Sequence, residues 1–274
     1  MNPDRSSLPA PRPAPELLDD ELVVLLDALG RHVPPPRSRI LRERVFDRIG
    51  RSARASRAFV TVRRDDAPAE AAAPGVRLRQ LYRAGSTARR AGEPERVRLV
   101  ELAPGAAWAG PGDEMRREWL LLRGHARLDG DELGVLDYRF VPAGHCGGPL
   151  GSAGGALVYL REAVADGATA FTSRDSARAW DDFAPGLKRR LLWTEGGEAS
   201  MLYHALPGAA VPRHGHGHDE ECLMIEGEVF LDDVLLRRGD YQLAPAGTEH
   251  GAVGTDTGGV LFAHGDLELD LLPG

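Results

Sequence analysis

The stretch "HGHGHDEECLMIEGE", residues 214–228, places three of the nine histidines of this 274-residue chain directly before a run of strand-forming apolar residues. His214 and His216 are two residues apart, so on a β-strand both imidazoles point to the same face. Glu220 follows four residues later, where a turn and a new strand would bring it back beside them. The stretch alone fits either a metal site built on strands or a histidine-rich loop that binds metal by accident.

A fourth residue favours the built site. The segment "RRGDYQLAPAGTEHG", residues 237–251, supplies His250 after a Pro-Ala-Gly turn. Three neutral imidazoles and one carboxylate on rigid strands suit Zn²⁺, Fe²⁺, Mn²⁺ or Ni²⁺. We therefore predict one divalent metal ion per chain, held by His214, His216, Glu220 and His250, with no organic cofactor. No residue is assigned a catalytic role.

Several neighbouring residues could serve in place of these ligands or beside them. His218 is a substitute ligand in the turn, and Glu221 is a rival for Glu220. Cys222 fits a small core residue better than a redox thiol. Three further polar residues either line the barrel or simply pack: Tyr203, His204 and His264.

Length and composition restrict the class of protein. The chain is long enough for one large or two ordinary domains, and 33 glycines with 20 prolines favour tight turns and short strands. A net charge of -7 argues against broad binding to nucleic acids. The sequence has no apolar run of membrane-spanning length and no apolar segment at its N-terminus. With two cysteines, a reducing cytoplasm is the expected location.

The N-terminal 57 residues differ in composition and hydrophobic pattern from the rest of the chain. Residues 1–15 are rich in Pro, Ser and Arg, which predicts a disordered tail. Residues 16–57 predict a helical segment of two helices. The second helix follows a proline break, with an apolar stripe at Ile40, Leu41, Val45, Phe46 and Ile49. Two short helices cannot bury such stripes alone, so they predict docking on the chain or on a partner.

The remaining sequence is a repeat. "LAPGAAWAGPGDEMRREWLLLRGHARLDG" from Leu102 aligns with "LPGAAVPRHGHGHDEECLMIEGEVFLDD" from Leu206 on their shared PGAA. The offset is a constant 103 residues from Gly105/Gly208 to Pro142/Pro245, and 111 residues upstream at Pro74/Pro185. Repeats of this length predict two copies of one β-domain. The four ligand positions become Pro111, Asp113, Arg117 and Gly147 in the first copy, which predicts a scaffold without metal.

The repeat predicts a mainly β fold with five parts. These are a tail over 1–15, a helical segment over 16–57, a metal-free barrel over 58–162, a linker over 163–180 and a metal-binding barrel over 181–274. We expect the two barrels to pack as a pseudo-dimer within the chain, because the metal-free copy then covers an apolar surface of the other.

The ligand spacings resemble the two motifs of the cupin family. Gly208, five residues, His214-x-His216, three residues, Glu220, six residues and Gly227 match the first motif; Gly239, five residues, Pro245-x-Gly247, two residues and His250 match the second. The resemblance implies a tandem pair of jelly-roll barrels with a metal inside the second.

The second copy is most similar to the ChrR-like cupin domain of zinc-binding anti-sigma factors. That resemblance implies Zn²⁺ at the four residues, regulation of transcription under oxidative stress or by a small molecule, and a sigma factor as the partner of the N-terminal helices. The His-x₃-Cys-x₂-Cys element of the anti-sigma domain has no match here. The alternative is an Fe²⁺-dependent dioxygenase that cleaves a diketone or hydroxy-ketone, as related cupins do.

Overall fold

A computed structural model of the protein describes residues 39–46, 59–85, 93–145, 147–164, 169–177 and 179–272. The chain divides into two compact units, Met1–Arg51 and Ser52–Gly274. In the first unit, residues 39–46 form a helix, α1, within the predicted second helix, and four side chains of its apolar stripe are exposed. The predicted tail and first helix lie outside the described residues. None of the helices in these ranges is long and apolar enough to cross a membrane.

The second unit is built of short strands, and the predicted mainly β class is confirmed. The strands of the first half are β1 (Val60–Val62), β2 (Ala69–Ala73), β3 (Val76–Arg83), β4 (Pro94–Leu102), β5 (Ala107–Trp108), β6 (Arg116–Gly124), β7 (Ala126–Leu128), β8 (Asp131–Leu133), β9 (Tyr138–Val141), β10 (Leu150–Gly151) and β11 (Ala156–Ala163).

The second half repeats this series, with a short 3₁₀ turn at Asp175–Ala177 after its first strand. Its strands are β12 (Phe171–Ser173), β13 (Asp181–Ala184), β14 (Leu187–Glu195), β15 (Glu198–Ala205), β16 (Ala210–Val211), β17 (His214–Gly215), β18 (Glu220–Leu231), β19 (Val234–Arg237), β20 (Tyr241–Ala244), β21 (Glu249–His250), β22 (Val253–Gly254), β23 (Gly259–Asp266) and β24 (Asp270–Leu271).

Both halves use the same strand order in antiparallel sheets. The first large sheet runs β12-β9-β6-β11-β4-β3-β2, and the second runs β1-β20-β18-β23-β15-β14-β13 with β16, β19 and β22 attached. Smaller sheets, β5-β10-β7-β8 and β21-β17-β24, accompany them. The repeat seen in the sequence is therefore a repeat of pairing order.

The outer strand of each large sheet comes from the other copy. β1 begins the first copy, yet it pairs with β20 of the second, with Val60 opposite Leu243. β12 lies inside the segment predicted to be a linker, yet it pairs with β9, with Phe171 opposite Phe140. The two strands are 111 residues apart, the offset of the upstream repeat, so each copy lends its first strand to its partner. These two pairings thus cross between the copies: β1, from the predicted first barrel, and β12, from the predicted linker, each join the large sheet of the other copy.

A buried aspartate anchors each exchanged strand. Asp240 accepts hydrogen bonds from the Arg64 amide (3.0 Å), the Arg237 amide (3.0 Å) and the Arg63 guanidinium (2.8 Å). The same three bonds recur around Asp137, 103 residues earlier, with donors Asp175, Gly134 and Arg174. Each aspartate therefore links the end of its own copy's hairpin to a strand of the other copy.

One glycine in each copy permits close approach of two strands. Gly124 and Gly227 have φ of 81° and 78°. A Cβ at either position would lie 2.2 Å from the carbonyl oxygen of Gly155 or Gly258 across the strand pair. Any larger residue would force these strands apart, which explains why both copies of the repeat have glycine here.

Apolar side chains form three separate cores. One fills the first barrel and includes Trp119 and Leu150, and one lies in the second barrel around Met201 and Leu236. The third lies between the barrels and draws on both copies. Its residues include Leu99, Leu120, Tyr138, Phe140 and Tyr159 from the first copy, and Trp193, Leu202, Leu223, Tyr241 and Phe262 from the second. Central strands are therefore buried on both faces, which accounts for the continuous apolar run "WLLL" in β6.

A fully buried ion network crosses this third core. Arg161 of the first copy donates from Nη1 to Glu118 Oε1 (2.9 Å) and from Nε to Glu221 Oε1 (2.5 Å) of the second copy. Tyr138 donates to Glu118 Oε2 (2.9 Å), and Tyr241 donates to Glu221 Oε2 (2.8 Å). The carboxylates and the tyrosines are each 103 residues apart, so the network follows the repeat.

The two copies differ at the cation of this network. The position of Arg161 becomes His264, whose Nδ1 lies 2.7 Å from Ser200 Oγ and 3.4 Å from Glu118 Oε2. Burial alone would raise the pKa of Glu118, but His264 and Arg161 outweigh it and hold that pKa well below its usual range. Glu118 is thus ionised and paired inside the interface.

Replacing Asp240 by Ala should destabilise the fold by roughly 2 kcal/mol at pH 7, because two strand amides and a guanidinium lose their acceptor. Burial raises the pKa of Asp240, but these donors outweigh it and lower the pKa overall. The stabilisation is therefore present above the unfolded pKa of about 4 and is lost as pH falls through the lower folded value. Urea titrations at pH 7 and pH 3 measure both effects, with exposed Asp256→Ala as the control. A pH-independent difference would contradict the assignment.

Replacing Arg161 by Leu should cost about 3–5 kcal/mol in the free energy of unfolding, since Glu118 and Glu221 would remain buried without their cation. Arg123→Ala is the matched control, because Arg123 lies on the solvent side of β6 in an exposed pair with Glu101. It should change stability by at most about 0.5 kcal/mol. Similar denaturation midpoints for the two variants would show that the buried network is not stabilising.

Candidate metal site and cavity

The four predicted ligands converge in the second barrel. β17 pairs with β21 so that His214 lies opposite His250, and Glu220 begins β18. The three imidazole ring centroids are separated by 4.9 to 5.5 Å. Glu220 Oε2 lies 3.4 Å from His216 Nδ1 and 3.5 Å from His250 Nε2. Ligand atoms from His214, His216 and Glu220 lie within 4.8 Å of one another.

Hydrogen bonds set which imidazole nitrogens face the centre. His214 Nδ1 lies 2.9 Å from the Pro212 carbonyl, which can only accept, so this nitrogen carries the proton. His250 Nδ1 lies 3.1 Å from Asp232 Oδ2. Nε2 of both rings is thereby left with a lone pair when the imidazole is neutral. The Nε2 atoms of His216 and His250 are buried and have no hydrogen-bond partner among the described residues.

The electrostatics of the site favour a positive charge. Burial raises the pKa of Glu220, but the neighbouring imidazoles of His250 and His216 outweigh it and lower the pKa to about 2. Burial lowers the pKa of His250, but Asp232 and Glu220 outweigh it and raise the pKa to about 9. Burial lowers the pKa of His216. Ionised carboxylates thus surround imidazoles with unpartnered nitrogens, a donor set that fits a divalent cation.

The residues that the sequence offered as substitute ligands, or as neighbours of the ligands, do not belong to the cluster of four predicted ligands. His218 is half-exposed and its Nδ1 lies 2.5 Å from Asp266 Oδ1. Glu221 points away from Glu220 into the interface between barrels, since side chains alternate along β18. Cys222 points back into the barrel, where burial raises the pKa of its thiol well above the usual range. His204 is exposed, and His264 belongs to the interface network.

The first copy has an arginine where the second has Glu220. Arg117 is buried, and its Nη2 donates to the His145 carbonyl (2.5 Å). Its Nη1 lies 3.8 Å from the point where a side chain at Gly147 would begin. A guanidinium therefore fills the space between two aligned ligand positions. Trp108 and Trp119, 6.3 Å apart, fill the interior of this barrel.

Asp232 is a member of the site that the sequence analysis missed. Besides His250, its Oδ1 accepts from the amides of Gly251 (2.5 Å) and Ala252 (3.1 Å). Asp129, 103 residues earlier, accepts in the same way from the Gly148 amide (3.0 Å). Both aspartates have positive φ in the hairpin turn after β7 or β18. The aligned Asp129/Asp232 pair of the repeat was the signal that could have found it.

A cavity adjoins the ligand set. Its empty volume is about 590 Å³, including the space at its mouth, and His214 and Glu220 form part of its wall. Apolar side chains make up most of the remainder, with Phe183, Leu231 and Leu261 among them. The sequence contained no signal for it, because the lining comes from strands far apart in the chain.

Comparison with known proteins agrees with this geometry. Residues 168–269 match the family model described as the ChrR Cupin-like domain. No curated protein matches the chain. A protein of Nostoc punctiforme assigned provisionally as a dioxygenase superposes with a TM-score of 0.64 at 17% identity, over 80% of this chain and 88% of that one.

Two further solved structures share the arrangement. A protein of Pseudomonas aeruginosa assigned provisionally as glyoxylate-induced gives a TM-score of 0.63 at 15% identity, covering 79% of this chain and 92% of that one. A mutant of Bacillus subtilis oxalate decarboxylase gives 0.58 at 15% identity, covering 76% and 77%. At these identities the likeness concerns the fold alone. Residues 168–269 are thus similar to the ChrR Cupin-like domain, and the strands of the chain have the cupin fold.

Proposed function

We propose that the second barrel binds one divalent metal ion through His214, His216, Glu220 and His250. The observation that carries this proposal is the convergence of three buried imidazoles on an ionised carboxylate, with two buried Nε2 atoms lacking any described partner. His214 and His250 would bind through Nε2, because their Nδ1 atoms are engaged by Pro212 and Asp232. Zn²⁺ is the first choice, since imidazole nitrogens and a carboxylate oxygen are among its usual ligands and its coordination can expand to admit a fifth ligand.

The function supported best is that of a metal-dependent regulator that senses a small molecule. The cavity beside Glu220 supports a small-molecule signal. The thiol of Cys222 is buried with a strongly raised pKa, so little reactive thiolate is present and a small-molecule signal is favoured over oxidation of this residue. The free thiol also fits a cytoplasmic location.

The N-terminal segment would transmit the signal from the barrel to a partner protein. Helix α1 has exposed apolar side chains at Ile40, Leu41, Val45 and Phe46, as a protein-binding helix requires. A sigma factor is the partner implied by the similarity of residues 168–269 to the ChrR Cupin-like domain. Because the sequence has no His-x₃-Cys-x₂-Cys element, binding of a sigma factor would depend on these helices alone.

An Fe²⁺-dependent dioxygenase acting on a diketone or hydroxy-ketone is the second candidate. The cavity that opens beside the proposed ligands favours it, because an enzyme needs room for a substrate there. With four protein ligands, an octahedral Fe²⁺ retains open positions. In either case Asp232 would hold the proton on His250 Nδ1, and the apolar walls would exclude water from the bound molecule.

Elemental analysis of purified protein should give close to one metal ion per chain, and the His214→Ala, His216→Ala double variant should bind almost none. Asp232→Ala retains all four ligands but frees the His250 ring, so its affinity should fall by about 10–100-fold in competition with a chelator. His204→Ala, on an exposed position of β15, is the control and should bind as the parent does. Two ions per chain, or full occupancy in the double variant, would contradict the proposed site.

The two candidate functions differ in their need for residues 16–57. Fe²⁺-loaded protein is offered a panel of β-diketones and hydroxy-ketones, and oxygen uptake is followed in the full chain and in a form that starts at Phe59. The regulator should show no turnover, and only the full chain should bind a sigma factor in a pull-down with purified proteins. Turnover above about one per second in both forms would instead establish the enzyme.

A further inference from the structure

The walls of the cavity restrict what it can bind. Its lining includes Phe183, Leu231, Val253, Leu261 and Ala263. These side chains offer no hydrogen bonds, so a polar body placed against them would lose its hydration without compensation. The body of any ligand must therefore be apolar.

The few polar groups of the lining are already engaged. Thr255 Oγ1 donates to the Glu228 carbonyl (2.6 Å) and accepts from the Gly258 amide (2.9 Å). The Tyr203 hydroxyl is hydrogen-bonded to Arg189. Outside the proposed metal ligands and the weakly polar thiol of Cys222, the described residues that line the cavity therefore offer no free polar side chain to fix a second head group.

Charge limits the head group as well. A divalent ion with ionised Glu220 and three neutral imidazoles has one net positive charge, which a single negative charge on the ligand would cancel. Asp232, on the far side of His250, adds negative charge to the surroundings. Neither lysine nor arginine is among the described residues that line the cavity. Arg189, which contacts the ring of Phe183, donates to the Leu267 carbonyl (2.8 Å). A second negative charge would therefore be buried without a partner.

We infer that the ligand has one oxygen-donor head group, neutral or singly negative, and an apolar body, and that the cavity rejects dianions. This inference rests on the proposed metal site, since the head group would bind there. It separates this chain from the oxalate decarboxylase with which it shares a fold, because oxalate carries two charges and no apolar body.

The test uses matched carboxylates on the full chain loaded with Zn²⁺, followed by titration calorimetry. Hexanoate has the proposed head group and body, acetate lacks the body, adipate adds a second charge at the same length, and oxalate has two charges without a body. Hexanoate should bind at least about tenfold more tightly than each of the other three, since burial of its methylenes favours binding. Equal or tighter binding of adipate, oxalate or acetate would overturn the inference.

Two variants locate the effect in the cavity. Val253→Trp fills the space from a partly exposed wall position, so hexanoate affinity should fall towards that of acetate. Ala210→Arg places a cation at an exposed position of the lining, and adipate affinity should rise relative to hexanoate. Unchanged hexanoate and adipate affinities in folded variants would overturn the assignment. Metal content is measured in every sample. If the chain retains Zn²⁺ but does not discriminate between hexanoate and the other carboxylates, only this inference is wrong. If it retains no metal, the proposed function is wrong too.

Discussion

The guanidinium of Arg161, buried between Glu118 and Glu221, is the interaction on which the arrangement of the two barrels depends. A buried charge is tolerated only with all its partners in place, so the barrels have little freedom to slide past each other. Glu221 precedes Cys222 and follows Glu220 on one strand, and successive side chains point to opposite faces. The first barrel thus holds the strand from which the second presents Glu220, the proposed carboxylate ligand.

Exchange of the outer strands reinforces this coupling. β1 completes the sheet of the second barrel and β12 completes that of the first, and each is anchored by a buried aspartate, Asp240 or Asp137. Separating the halves would expose a sheet edge and an apolar face in each. A copy without the ligand set is therefore retained for a structural reason: it supplies a strand, a cation and half of the central core.

The two barrels share a backbone plan but differ inside. In the first, two tryptophans and the guanidinium of Arg117 occupy the interior. In the second, the positions aligned with these three hold Val211, Cys222 and Glu220, which line a cavity of about 590 Å³, its open mouth included. The same strand order thus accommodates a filled scaffold or a ligand site, and side chains at a few aligned positions make the difference. The proposed function therefore concerns the second barrel, with the first in a supporting role.

The sequence by itself determined the mainly β class, the duplication and the set of four residues that meet in the second barrel. These follow from local patterns: alternation along strands, turns at Gly and Pro, and a constant offset of 103 residues. Only the tertiary structure decided which copy each outer strand joins, that Glu221 serves the interface, and that Asp232 supports His250. The cavity, too, was decided only by the tertiary structure. Each of these depends on pairing between segments far apart in the chain, which no local pattern specifies.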